Sequence, residues 1–205
     1  MSSQPSPLKL PRIPQSQLDV RPIDWSGLNR RFMNPGELEV LVALVNSVKP
    51  ATMIEIGVNE GRTAKALLAN VPSLTHYIGI DVPIGYRTSK EVQRREVPVD
   101  AGHLALSDPR FELLLRPRGS LDLEPEDLPR CDVVFIDGDH GYDAVLYDSY
   151  LADALTRDGG MIIWHDYHGI DTVDVREVLE ASAAEGNPIQ YVEGTWIAFM
   201  RVKPE

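Results

Sequence analysis

The chain has 205 residues, enough for one α/β domain with a full core and short for two. A formal net charge of −11 argues against a general nucleic-acid-binding surface, which needs a basic footprint, even though Arg87, Lys90, Arg94 and Arg95 cluster, as do Arg116 and Arg118. The single cysteine, Cys131, has no internal disulfide partner, no apolar run reaches membrane-spanning length, and the first residues lack the apolar core of a signal peptide, so a cytoplasmic protein away from membranes is expected.

Residues 1–24 carry Pro5, Pro7, Pro11, Pro14 and Pro22 and read as an extended or disordered arm, because proline supports neither a helix interior nor a central strand. Residues 25–205 read as one domain whose packing begins at Trp25, Leu28 and Phe32. Asn34-Pro35 reads as the N-cap and first position of a helix carrying Leu38, Leu41, Val42, Val45 and Val48, closed by Pro50. A short strand holding Met53, Ile54 and Ile56 then runs into a glycine-bounded turn, and a helix over 62–70 follows with Ala64, Leu67 and Leu68 on its apolar face.

Residues 77–82 and 132–137 hold short apolar runs that lead into Asp81 and Asp137 and read as central parallel strands. Between them, 83–109 is expected to form one or two short helices with a mobile loop, 111–115 a strand, and 122–129 a short surface helix. A helix from 142 to 156 would bury Val145, Leu146, Leu151 and Leu155, with Gly159-Gly160 ending it before a strand at 161–164. A helix at 172–184 and strands at 189–193 and 195–202, turning at Gly194, close the chain. Strands alternating with helices predict an α/β, Rossmann-like doubly wound sheet, mostly parallel and seven-stranded, with a C-terminal antiparallel hairpin.

The turn Gly57-Val-Asn-Glu-Gly61 lacks the middle glycine that lets backbone approach a pyrophosphate, and a carboxylate at Glu60 would repel phosphate. A cationic or zwitterionic head group suits it better. Asp81 ends its strand about twenty residues after Gly61, where an acid accepts hydrogen bonds from both hydroxyls of a ribose. Glu55-Ile-Gly-Val-Asn-Glu-Gly61 together with Ile80-Asp81 resembles motifs I and II of the class I S-adenosylmethionine-dependent methyltransferases. The resemblance, over roughly 50–168, implies S-adenosylmethionine as cofactor. It implies that Glu55, Gly57, Asn59 and Gly61 frame its methionine part, that Asp81 holds its ribose, and that Gly119 and Ser120 lie beside its adenine, with Asp137 nearby.

A second constellation, Asp137-Gly-Asp-His140 with His165-Asp166, places carboxylates and imidazoles at the ends of neighbouring strands. It is similar to the small bacterial metal-dependent O-methyltransferases of sugars and natural products. Matched residue by residue, Asp137, His165 and Asp166 become ligands for Mg²⁺ or another divalent metal, and His140 the base that deprotonates the acceptor hydroxyl. His165 departs from the family's usual carboxylate, so a different metal, a contribution from Asp139, or a metal-free site with either histidine as base stays open. Trp164 and Tyr142 can be pocket or core, and Tyr86–Arg95 a lid or a solvated basic helix. The expected activity is methyl transfer to a small-molecule hydroxyl. Its rivals are a non-catalytic cofactor-binding or assembly module and a metal-dependent hydrolase. The extended arm and exposed sheet edges also leave room for a homo-oligomer.

Overall fold

The strands with unbroken apolar runs lie in the middle of one sheet, where both faces are covered and neither can afford polar alternation. The structure, a computed structural model, describes residues 9–25, 27–29, 33–90, 97–168 and 173–203. Phe32, Arg94, Arg95 and residue 172, the expected start of the last helix, lie outside the described residues; Val173 and Asp174 precede that helix, which begins at Val175. In chain order the elements are β1 (Arg12–Ile13), α1 (Glu37–Val48), β2 (Thr52–Ile56), α2 (Arg62–Asn70), β3 (His76–Asp81), β4 (Phe111–Leu115), β5 (Cys131–Ile136), α3 (Tyr142–Leu155), β6 (Thr156–Trp164), α4 (Val175–Ala184), β7 (Gln190–Val192) and β8 (Ala198–Arg201).

The sheet order is β1-β7-β8-β6-β5-β2-β3-β4. Strands β6, β5, β2, β3 and β4 are mutually parallel, and β8 runs antiparallel to both β6 and β7. Alternate residues feed two cores. Ile54, Ile56, Ile78, Ile80, Val134 and Ile136 pack towards α3 and α4. Met53, Tyr77, Val133, Phe135 and Ile163 pack towards α1 and α2. Each such side chain, once fully buried, contributes roughly 1.5–3 kcal/mol of transfer free energy. This is the doubly wound architecture with its closing hairpin. Among the described residues no helix is long and apolar enough to cross a membrane.

Several local expectations are corrected. Among the described residues the sheet has eight strands, because the proline-rich arm contributes β1, which pairs parallel with β7. Two residues between prolines carry no periodicity from which a strand could be read. Helix α1 begins at Glu37, not at Pro35, since Gly36 adopts the left-handed conformation at φ 88° and breaks the run. Asn34 does not cap with its side chain; its backbone N–H and side-chain amide donate to the Glu37 carboxylate at 2.7 and 3.1 Å.

Leu146 is half exposed, while Asp148 takes a buried place on the inner face of α3. Helix α3 ends at Leu155, and Gly159-Gly160 sits inside β6. There the register with β5 shifts, and a Cβ on Gly160 would stand 2.6 Å from the Asp132 carbonyl oxygen. The described parts of 83–109 hold turns and bends rather than helices, and the acidic stretch after β4 forms two 3-10 turns, Gly119–Asp122 and Pro125–Asp127.

Candidate active site

The carboxyl ends of β2, β3, β5 and β6 open into one cavity with about 1560 Å³ of empty space counted out to its mouth. Gly57 lines it. At φ 89° it turns the chain off β2, and a Cβ there would collide with the backbone of Asp137 and Gly138. The backbone of Gly57 donates to the Ile80 carbonyl at 2.9 Å, and that of Asp137 to the Ile56 carbonyl at 2.8 Å, so three strand ends are pinned at this point. Asn59 occupies the left-handed region at φ 50°, which asparagine tolerates better than most side chains.

Gly61 precedes α2 at φ 87° and faces away from the cavity. A Cβ on it would lie 2.9 Å from the Gly102 carbonyl oxygen, and the loop carrying Gly102 docks through its N–H on Asn59 O at 2.7 Å. Gly61 is therefore a packing glycine. Glu60 does line the cavity, yet its carboxylate is paired with Arg62, so the sequence argument from an uncompensated negative charge is corrected.

Asp81 closes β3 with 8% exposure and accepts from the N–H groups of Asn59 at 2.6 Å and Val82 at 2.7 Å. Burial outweighs these bonds and pushes its pKa up to about 6. Glu55, by contrast, lies behind the wall and does not line the cavity. It takes a hydrogen bond from the Tyr77 hydroxyl at 2.9 Å, and its burial holds its pKa well above the usual carboxylate range. Gly119 and Ser120 line the cavity beyond Asp81, and the Ser120 hydroxyl donates to the buried carboxyl of Asp148.

At the opposite end stand Asp137, His140, His165 and Asp166. The imidazole Nε2 of His140 lies 2.7 Å from Asp166 Oδ2 and 3.9 Å from Asp137 Oδ1. His165 Nδ1 lies 3.4 Å from Asp137 Oδ1 and 3.3 Å from Asp166 Oδ1, while its Nε2 reaches Glu37 at 3.3 Å. Asp166 adopts φ 61°, a strained backbone for an aspartate. Burial would lower the pKa of His140, but Asp137 and Asp166 more than reverse this and bring it up to about 10. The same opposition keeps His165 well above, and Asp166 well below, their ordinary ranges.

Asp137, His140 and Asp166 can each aim one donor atom at a common point, all within 4.8 Å of one another. Both ring nitrogens of His140 are buried without a hydrogen-bond partner among the described residues, the 2.7 Å approach to Asp166 being out of line for one. Two carboxylates and an orphaned imidazole fit a divalent cation. His165, expected from the sequence as a ligand, is not in this group: its Nε2 faces Glu37 and its Nδ1 lies between Asp137 and Asp166.

Sequence reasoning missed Glu37, fully buried at the head of α1, which also accepts from the Trp196 N–H. A glutamate in a first helical turn reads as a solvated dipole partner, and nothing in the sequence marks it as buried. It missed Asp148 as well, although its spacing from Val145 and Leu151 places it on the apolar face. Trp164 is core, its indole donating to Ser149, and Tyr142 does not line the cavity. Tyr86 and Thr88 do line it, and Asp139 holds that strap by accepting from the Ser89 N–H at 2.7 Å and the Tyr86 hydroxyl at 3.3 Å.

A family model described as a methyltransferase domain matches residues 54–167. No curated protein matches the chain significantly. Solved structures share its fold at low identity. An O-methyltransferase from Bacillus cereus in complex with S-adenosylhomocysteine (SAH) is 17% identical with a TM-score of 0.58, covering 87% of this chain and 86% of its own. The O-methyltransferase TomG from Streptomyces achromogenes, involved in tomaymycin synthesis and bound to S-adenosylmethionine, is 16% identical with a TM-score of 0.57, covering 86% and 84%. The SAH-bound Podospora anserina methyltransferase PaMTH1 is 12% identical with a TM-score of 0.58, covering 83% and 80%.

Proposed function

This chain belongs to the methyltransferase-domain family, of the class that draws its methyl group from S-adenosylmethionine, and from that premise we propose that it methylates a hydroxyl of a small-molecule acceptor. The observation that carries the proposal is the convergence of Asp137, His140 and Asp166 on the cavity that Gly57, Asn59 and Asp81 also line. In this reading the Gly57 turn lies against the methionine part of the cofactor. Asp81, ionised near neutral pH, accepts from the ribose hydroxyls.

The acceptor oxygen attacks the methyl carbon in line as the carbon–sulfur bond breaks. The electron pair returns to sulfur, leaving the thioether SAH, and the hydroxyl proton passes to the protein. Most of the acceleration comes from holding oxygen and methyl at attacking distance. His140 is the group placed to take that proton, but Asp137 and Asp166 keep it protonated while their charge is free. Charge drawn off those carboxylates on binding is what frees the ring to accept. A divalent cation held by Asp137, His140 and Asp166 would supply Lewis acidity and lower the pKa of the acceptor hydroxyl. One imidazole nitrogen cannot ligate and accept a proton at once, so the two roles are alternatives for His140.

Calorimetry with SAH tests the cofactor half. Binding is expected, with Asp81→Ala weakening it by more than about 100-fold through loss of two charge-assisted hydrogen bonds. No binding to the parent protein would overturn the proposal.

A further inference from the structure

Asp174 stands immediately before α4, where an aspartate ordinarily caps its own helix, yet its side chain makes no capping bond there. It reaches across to α3 instead. One carboxylate oxygen accepts from the Tyr142 N–H at 2.9 Å, one of the first N–H groups of α3, which have no acceptor within the helix. Gly141, ahead of that helix, has no side chain with which to cap it. The Asp174 backbone adds a second bond, its N–H donating to the His140 carbonyl at 2.9 Å. The chain is thus gripped on both sides of the His140 side chain by one residue that follows β6.

That grip matters because little else fixes the imidazole. Both ring nitrogens of His140 are buried without a hydrogen-bond partner among the described residues, so no directional bond of its own sets the ring's aim. Where it points follows from the backbone that carries it and from the unaligned pull of Asp137 and Asp166. The other Asp174 oxygen takes the ammonium of Lys90, at the end of the strap that brings Tyr86 and Thr88 into the cavity wall. Asp139 holds the same strap from the residue before His140, through the Ser89 N–H and the Ser89 and Tyr86 hydroxyls. The two segments lie so close that a Cβ on Gly141 would collide with the Ser89 hydroxyl.

We propose that Asp174 is a positioning residue that sets the aim of the His140 ring and ties that aim to the seating of the strap. His140 matters here as the base, or as a cation ligand, of the methyl transfer proposed above, and the inference rests on that reading. Asp174 touches no reacting atom; it acts through the backbone on either side of His140. A strap that lifts takes Lys90 away from the carboxylate that caps α3, so the ring is correctly aimed only while the cavity wall is complete. Misplacing a reacting group by about 1 Å costs on the order of 100-fold in rate, which is what such a tie guards against.

The test reads the imidazole directly, in 1H–13C ring spectra of the full chain without ligand, the His140 signal being the one absent from His140→Gln. Asp174→Ala is expected to shift that signal, and to shift it more than the His165 signal, whose ring faces Glu37, Asp137 and Asp166 and not Asp174. Asp174→Asn keeps an oxygen for the Tyr142 N–H and is expected to bring the signal back towards its parent position. Tyr142→Pro removes the same hydrogen bond from the donor side, at a first helical position where proline is tolerated and after an extended Gly141, and is expected to reproduce the Asp174→Ala shift. It decides the case in which Asp174→Ala does not fold. Lys90→Met, which releases the strap alone, is expected to give a smaller shift in the same direction. A merely stabilising acid would lower the urea midpoint and leave the His140 signal of the folded variants unmoved, which overturns the proposal. A parent spectrum in Lys90→Met overturns the tie to the strap. Failure of the parent to bind SAH removes the methyl-transfer reading and with it the role of His140 that this inference needs, whereas SAH binding with an unmoved His140 signal removes the inference alone.

Discussion

At the Gly57–Asp81 end of the cavity, the proposed cofactor side, backbone dominates: the Gly57 turn and the N–H groups of Asn59 and Val82, which Asp81 ties together. At the other end, the proposed acceptor side, charged side chains answer one another: His140 between Asp137 and Asp166, and His165 beside them on Glu37. A backbone cradle is fixed by the φ angles of a few glycines and tolerates little, but its electrostatics are simple. A charge cluster can be rearranged by whatever binds, and its protonation follows its occupant. In the proposed function the first end holds one ligand and the second changes state during a turnover.

The largest expected effect falls where the two ends meet. Gly57→Val would drive β2 and β5 apart at the collision with Asp137 and Gly138, and should cost more than about 3 kcal/mol in urea unfolding along with SAH binding. A variant that unfolds like the parent would show that the two ends are not joined at that point. Next is Glu37→Ala, which removes one of the three carboxylates around His165. A loss of about 1–3 kcal/mol is expected in urea, because the buried Nε2 of His165 and the Trp196 N–H lose their acceptor while Asp137 and Asp166 still answer the ring's charge through Nδ1. Retention of full stability would mean that His165 has a neutral alternative and that the acceptor end is less tightly charged than its distances imply.

The smallest effect is on pH. Asp81 is ionised above about pH 6 and takes a proton as the pH falls through that value. SAH affinity should therefore drop about tenfold between pH 7.5 and about pH 5, with Asp81→Asn flattening the profile. The stability linkage has the opposite sign. A folded pKa above the ordinary value makes this group favour the folded state more as acid is added, so acid unfolding through Asp81 cannot mimic the loss of binding. A flat profile in the parent would remove Asp81 from the ribose.

How much of this could be read beforehand follows the same division. Helix α2 runs over the expected residues and β4 likewise, since their apolar periodicity is unbroken. The turn at Gly57 was legible because glycine at a strand end means backbone doing what no side chain permits. Leu146 and Asp148 exchanged places on α3 because a helix with a weakly sided apolar pattern leaves its rotation to tertiary packing. The way the side chains of the histidine–aspartate cluster face one another was not legible for a related reason. Asp137, His165 and Asp166 are adjacent at the strand ends, but the turn at Asp166 sets which way each side chain leaves the sheet, and a buried glutamate more than a hundred residues earlier claims one of them. Spacing along the chain reports proximity and not direction.

The two residues of β1 are a small element with a disproportionate effect on how this protein meets its neighbours. The carbonyls of Pro11 and Ile13 take the N–H groups of Tyr191 and Glu193, and Leu10 anchors the segment in the core. The groups β7 would otherwise present to another sheet are thereby used up, and the strand that uses them is too short, with Pro11 and Pro14 at its ends, to recruit a further one. The arm works as a stopper on that side of the sheet. Trimming it would expose a β edge, and the cost would be felt first as self-association at high concentration rather than as a lower melting temperature.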